Sequence, residues 1–175
     1  MSRLLRLLAP FVYPFLIGVA GGENPTDKAI ASLSDSKSNV EYVTKRVLDK
    51  CSEKGSSCDL KQAEGQYTKA RTAYMTYLKA FADTCGAGSP PSINGLADKA
   101  ASASAEYIVF AKPMSGTAGG LFDVLGNALS AENLRSIAKA VTAYFQRIGS
   151  DCKSEQDRIL ERYSWKTWDE IAKSK

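Results

Sequence analysis

From Asn24 to the C-terminus, apolar residues recur at spacings of three and four and almost nowhere alternate, which is the period of helices sharing a core. The first stripe runs Ile30, Leu33, Val40, Val43 and Val47 to Cys51, with Lys37 interrupting it. Asn24 is a capping residue in front of Pro25 and Asp27, and Gly55 closes the helix. The second stripe is Leu60, Ala63, Tyr67, Ala70, Tyr74, Tyr77 and Phe81, opened by Asp59 with Gln62 in a variant capping box and ended by Gly86. A helix of about 26 residues spans about 39 Å.

After the turn "GAGSPPS", an alanine-rich helix is expected from Ile93 through Leu96, Ala100, Tyr107 and Phe110 to a break at Pro113. "LFDVLGNAL" reads as a short helix. Ser130 then caps a long one with Leu134, Ile137, Val141, Tyr144 and Ile148, closed by Gly149. A last helix follows Cys152 and carries Ile159, Leu160, Tyr163, Trp168 and Ile171. The expected architecture is an all-α, up-and-down bundle of four to five helices in a single domain, residues 23–175, behind an N-terminal hydrophobic signal or anchor segment, residues 1–22.

That segment, "MSRLLRLLAPFVYPFLIGVAGG", has two arginines, an uncharged run from Leu7 to Gly22 and small residues at Gly18 and Ala20. The order is that of a secretory signal peptide with cleavage before Gly21. A retained membrane anchor is the alternative, although Pro10 and Pro14 interrupt a run just short of the ~20 residues a spanning helix needs. A mitochondrial presequence and a short buried helix fit the segment less well. The localisation expected is secreted or periplasmic, with a membrane-anchored chain as the alternative.

Composition narrows function by exclusion. The formal charge is +4; Arg3 and Arg6 supply two of those charges, and from Glu23 onward 21 basic residues face 19 acidic ones. No clustered basic footprint for nucleic acid is present in that balance. The chain has no histidine, which removes the usual general base, the commonest metal ligand and every Ser-His or Cys-His nucleophile pair. "SDSK" at Ser34–Lys37 fits Ser-x-x-Lys without its companion motifs. "PMSGTAGG" lacks the Lys-Ser/Thr ending of a phosphate loop. Glu155, Asp157 and Glu161 alternate with Arg158 and Arg162 at helical spacing, as on a solvated, ion-paired face. Asn24 precedes Pro25, so the one glycosylation sequon is void. No cofactor, no metal site and no catalytic residue are expected.

The four cysteines follow from parity. If the long helices alternate in direction, Cys51 and Cys58 meet at one pole and Cys85 and Cys152 at the other, whereas any other pairing would cross the bundle; a disulfide tolerates only about 7 Å between Cα atoms. Neither a zinc knuckle nor C-x-x-C is present.

Among the aromatics, Tyr67, Tyr74 and Tyr77 form a stripe that reads either as core or as a ligand or partner groove between helices. Trp168 continues the core stripe. Trp165 does not, and is expected as an exposed anchor for a partner or a membrane interface. Tyr67, Tyr74, Tyr77, Trp165 and Trp168 are therefore the candidate binding surface. The stretch from Gly120 to Leu129 resembles, in its first four residues, the amphipathic peptides of amphibian skin, but has no lysine to attract anionic lipid and is read as a short buried helix.

The function expected is an exported, non-enzymatic binding protein of inhibitor, immunity, adaptor or surface-recognition type, with a protein partner and no nucleic acid. The alternatives are an accessory subunit of a membrane complex, associated with the membrane through residues 1–22, and a small-molecule or lipid carrier using the tyrosine-lined seam.

Overall fold

The computed structural model describes residues 25–86, 93–117 and 119–174. The N-terminal segment, the Asn24 cap, the turn at 87–92 and the Ile30 side chain lie outside the described residues. Within them the chain is all-helical: α1 Pro25–Ser52, α2 Leu60–Ala82, α3 Ile93–Ser115, α4 Gly119–Ala128, α5 Ala131–Ile148, α6 Cys152–Tyr163 and α7 Trp168–Lys173, with a 3-10 turn, Gly149–Asp151, before α6.

Contacts between helix ends set their directions. Cys51 at the end of α1 is bonded to Cys58 just before α2, with Cα atoms 5.0 Å apart. The Cys58 sulfur lies 3.3 Å from that of Met114 in the last turn of α3. The end of α1, the start of α2 and the end of α3 therefore share one pole. At the opposite pole Cys85, past the end of α2, is bonded to Cys152 with Cα atoms 5.5 Å apart, and Gln156 Nε2 of α6 donates to Asp83 Oδ1 at 2.7 Å. Both disulfides have the pairing that parity requires.

The helix between Pro113 and Ser130 is the element on which that parity depends. At ten residues α4 covers only about 15 Å, too little for a crossing of its own. Asn133 at the start of α5 donates from Nδ2 to the Ser32 hydroxyl of α1 (3.1 Å) and to the Ala128 carbonyl (2.7 Å), which joins α4 and α5 end to end along α1. The two helices together make one descending rod with a break at Leu129–Ser130.

Local chemistry explains most boundaries. Asp59 accepts from the backbone N–H groups of Lys61 and Gln62, and Ser130 accepts from that of Asn133, satisfying donors left over at helix starts. Gly149 closes α5 at φ 60°, a conformation that favours glycine. α3 does not stop at Pro113 as expected but continues to Ser115. The bond that proline forfeits belongs to the carbonyl of Val109, a residue 73% exposed, where water can replace it. The largest departure lies near the C-terminus, where the expected single last helix is two. α6 ends at Ser164, whose ψ of 129° is not helical, and Thr167 starts α7 with a capping box to Glu170.

The predicted stripes form one core. Leu33, Val40, Val43 and Val47 of α1, Ala63 to Phe81 of α2, and Leu134, Ile137 and Val141 of α5 are buried to 1% exposure or less at the apolar positions named above. A fully buried aliphatic or aromatic side chain of this kind contributes about 1.5–3 kcal/mol. Leu60 is an exception at 40% exposed, and Leu96, Phe110, Tyr144 and Ile148 are only partly buried, with Phe145 in the core beside Tyr144. Where Lys37 interrupts the α1 stripe, the neighbouring Ser36 is buried and donates to the Ser32 carbonyl, while Lys37 reaches across to the Arg162 carbonyl at 2.9 Å.

Candidate functional site

The five aromatics expected as a binding surface are brought together, but inside the protein. Tyr67, Tyr74 and Tyr77 have no exposure, Trp165 has 1% and Trp168 7%. Trp165 is thus not an exposed anchor: the extended backbone at Ser164 turns the chain so that this residue enters the core while Lys166 stays outside. Its ring stacks on Tyr74 with centroids 4.2 Å apart and planes 14° from parallel, and Tyr67 flanks it at 6.5 Å and 18°. Tyr107 meets Tyr67 edge to face at 5.5 Å. The rings fill the seam themselves, as aromatic pairs do when they replace solvent on both faces.

The hydroxyl groups are committed as well. Tyr67 donates to the Lys166 carbonyl (2.6 Å), Tyr77 to the Leu134 carbonyl (2.7 Å) and Tyr74 to the Tyr163 carbonyl (3.4 Å). Thr44 uses its proton on the Val40 carbonyl, so Tyr107 donates to Thr44 Oγ1 at 2.8 Å. Arg71 Nε serves the carbonyls of Trp165 (2.9 Å) and Lys166 (3.1 Å). The connection between α6 and α7 has few backbone partners of its own, and side chains of α1 and α2 supply them. Glu41 completes the attachment, with Lys166 Nζ 3.3 Å from its carboxylate.

Burial pushes all four phenols, Tyr67, Tyr74, Tyr77 and Tyr107, well above the ordinary value of 10.0, since a phenolate there would lose its water. They are structural donors and stay protonated. The Thr167 backbone N–H and hydroxyl donate to Glu170 and hold its carboxyl below its usual range. The cysteines are all in disulfides. Among the described residues no group of three or more His, Cys, Asp or Glu is placed to hold a metal ion. No described helix is long and apolar enough to cross a membrane.

The outer face of α3, which the inward apolar stripe does not mark, carries two grooves. One, of about 430 Å³, lies against the break between α4 and α5 and is lined by Ala101, Ser102, Ala105 and Ile108 with Leu129. The other, of about 500 Å³, lies on the α2 side, lined by Gln66, Ser102, Ala105, Val109 and Phe110. Ser102 and Ala105 belong to both, forming a low ridge between them. Val109 lines the α2-side groove and is the most exposed large apolar side chain among the described residues. The signal was in the sequence: Val109 falls off the Ala100–Tyr107 stripe and has no core place to occupy.

Comparison of the chain with known protein families, with characterised proteins and with solved structures finds no match.

Proposed function

We propose that the chain is an exported, non-enzymatic helical-bundle protein that acts by binding another protein, as an inhibitor, immunity, adaptor or surface-recognition module. The observation that carries this reading is the division between interior and exterior. The phenolic hydroxyls of the core are spent on holding the scaffold. Outside it the most exposed large apolar side chain, Val109, stands beside two grooves on the outer face of α3, with Tyr42, Leu60 and Val124 exposed singly on other helices. Disulfides at both poles support export, because such bonds persist in oxidising compartments. They also favour a rigid display surface, which keeps the ordering cost of binding low.

The test uses native protein purified under membrane-preserving conditions, with intact mass measured before and after reduction. Export predicts loss of about twenty N-terminal residues and a gain of four hydrogens on reduction, two for each disulfide. A retained N-terminus in the membrane fraction would replace this reading with the accessory-subunit one. Affinity capture with wild type and Val109→Glu as bait tests binding: a specific partner lost with the variant supports it, and no partner for either bait counts against it.

A further inference from the structure

We propose that the outer face of α3 binds a second copy of this chain, the two α3 helices packing antiparallel about a two-fold axis at Ala105. The proposal rests on the binding reading above and names the partner of that face.

Residues on either side of Ala105 are placed symmetrically along α3. Residues three, four and seven apart lie on one side of an α-helix. Counting outward from Ala105 in both directions gives Ser102 and Ile108 at three, Ala101 and Val109 at four, and Asp98 and Lys112 at seven. All lie on the outer half of α3, with Ala101 and Ile108 at its edge, partly buried against the core. An antiparallel two-fold pairing sets the positions on one side of Ala105 against those on the other, so that residue i meets j and j meets i.

The matches are complementary in shape and in charge. Val109 of one copy faces Ser102 of the other across the α2-side grooves, and Ile108 faces Ala101 across those on the α4–α5 side. Ala105 and Ser102 at the crossing point let the helix axes approach to the short end of the usual 8–10 Å. Asp98 of each copy faces Lys112 of the other. Asp98 is already neighbour to Arg135 but remains half exposed, at 46%, so its carboxylate can accept a second cation. Lys112 forms no ion pair among the described residues and is exposed. The remaining acid, Glu106, turns toward α2, where Lys69 pairs with it at 2.5 Å. Each Lys112 thus meets the other copy's Asp98 beside Arg135, with which it shares that carboxylate. The chain from Glu23 onward is also nearly balanced, with 21 bases against 19 acids, so two copies repel little.

Molar mass by light scattering across a concentration series, on the purified full chain and on the chain beginning at Glu23, tests this directly. A concentration-dependent dimer is expected for both, abolished by Val109→Glu with the helical circular dichroism unchanged. Lys112→Glu sets acid against acid at two places and weakens the dimer by roughly tenfold. Asp98→Lys does the same with two bases. Mixing the two single variants creates attractive pairs at both ends, so a mixed dimer at near wild-type affinity is expected. A monomer at every concentration overturns the proposal, as does a dimer indifferent to Val109→Glu, a mixture that stays monomeric, or a dimer that needs residues 1–22. Because purified chain alone is used, the dimer can fail while partner capture through Val109 still succeeds, which separates the failure of this proposal from that of the binding reading.

Discussion

Removing the two disulfides one at a time separates two ways of stapling the bundle. The Cys85–Cys152 bond joins residues 67 apart in sequence and the Cys51–Cys58 bond residues only 7 apart. In the chain-entropy description a cross-link acts on the unfolded chain in proportion to the logarithm of the loop it closes, giving about 4.4 kcal/mol for the long loop and about 2.5 kcal/mol for the short one. Packing acts in the same direction: Cys152 is 3% exposed within the core, whereas Cys51 and Cys58 are half-buried at the rim. C85A/C152A is therefore expected to lose about 2 kcal/mol more than C51A/C58A. In a domain of this size each kcal/mol corresponds to about 2–4 °C, so the long-loop variant should melt about 9–18 °C below wild type. Urea denaturation of both double variants, followed by circular dichroism without reductant, measures this, with free energies extrapolated to water. Equal losses, or a greater loss from the short loop, would refute the reasoning.

Trp165→Ala empties a site at 1% exposure between Tyr67 and Tyr74 and is expected to destabilise by about 3–5 kcal/mol; a loss below 1 kcal/mol on thermal melting would show that the indole is not core. Thr167→Ala removes the hydroxyl that caps α7 and binds Glu170, with an expected loss of about 1 kcal/mol and faster hydrogen exchange of the α7 amides while α2 is unaffected. Alkaline pH should unfold the protein steeply. The four buried phenols have folded values raised above 10.0, so their contribution is complete below pH 10 and is lost as pH rises beyond it. The combined slope is about 5 kcal/mol per pH unit. Phenolate absorbance and helical circular dichroism should change together, and ionisation of these phenols in a still-folded chain would contradict their burial.

The helices were legible because their inward positions follow a single period, and the disulfide pairing because it needed only helix direction. The division of the fourth rod into α4 and α5 was legible in part, since Ser130 is a capping residue, but that the two lie end to end is set by Asn133 reaching Ser32 and Ala128, a tertiary contact. The break between α6 and α7 was written in Thr167 and Glu170, a Thr-x-x-Glu box. The continuous apolar pattern through Tyr163, Trp168 and Ile171 masked it, because those residues are buried on both sides of the break. Pro113 gave the opposite error: it marks the end of a helix only when the forfeited carbonyl has no other partner, and on a solvent-facing turn water is one.

The misplacement of the aromatic site has a single physical origin. A stripe of tyrosines states which side chains share a helix face; it does not state what stands opposite their hydroxyl groups. A ring with a polar tip behaves as surface when the tip meets water and as core when it meets a carbonyl, and the two differ by the presence of one acceptor. Here the acceptors come from far along the chain: Lys166, Tyr163 and Leu134 lie 99, 89 and 57 residues from the tyrosines they serve. The non-helical connection at Ser164–Thr167 is what frees the Lys166 carbonyl for Tyr67 and the Trp165 carbonyl for Arg71. The same connection that turns Trp165 inward thus closes the seam, and the apolar residues without an inward partner, Val109 foremost, are left to define the outer surface.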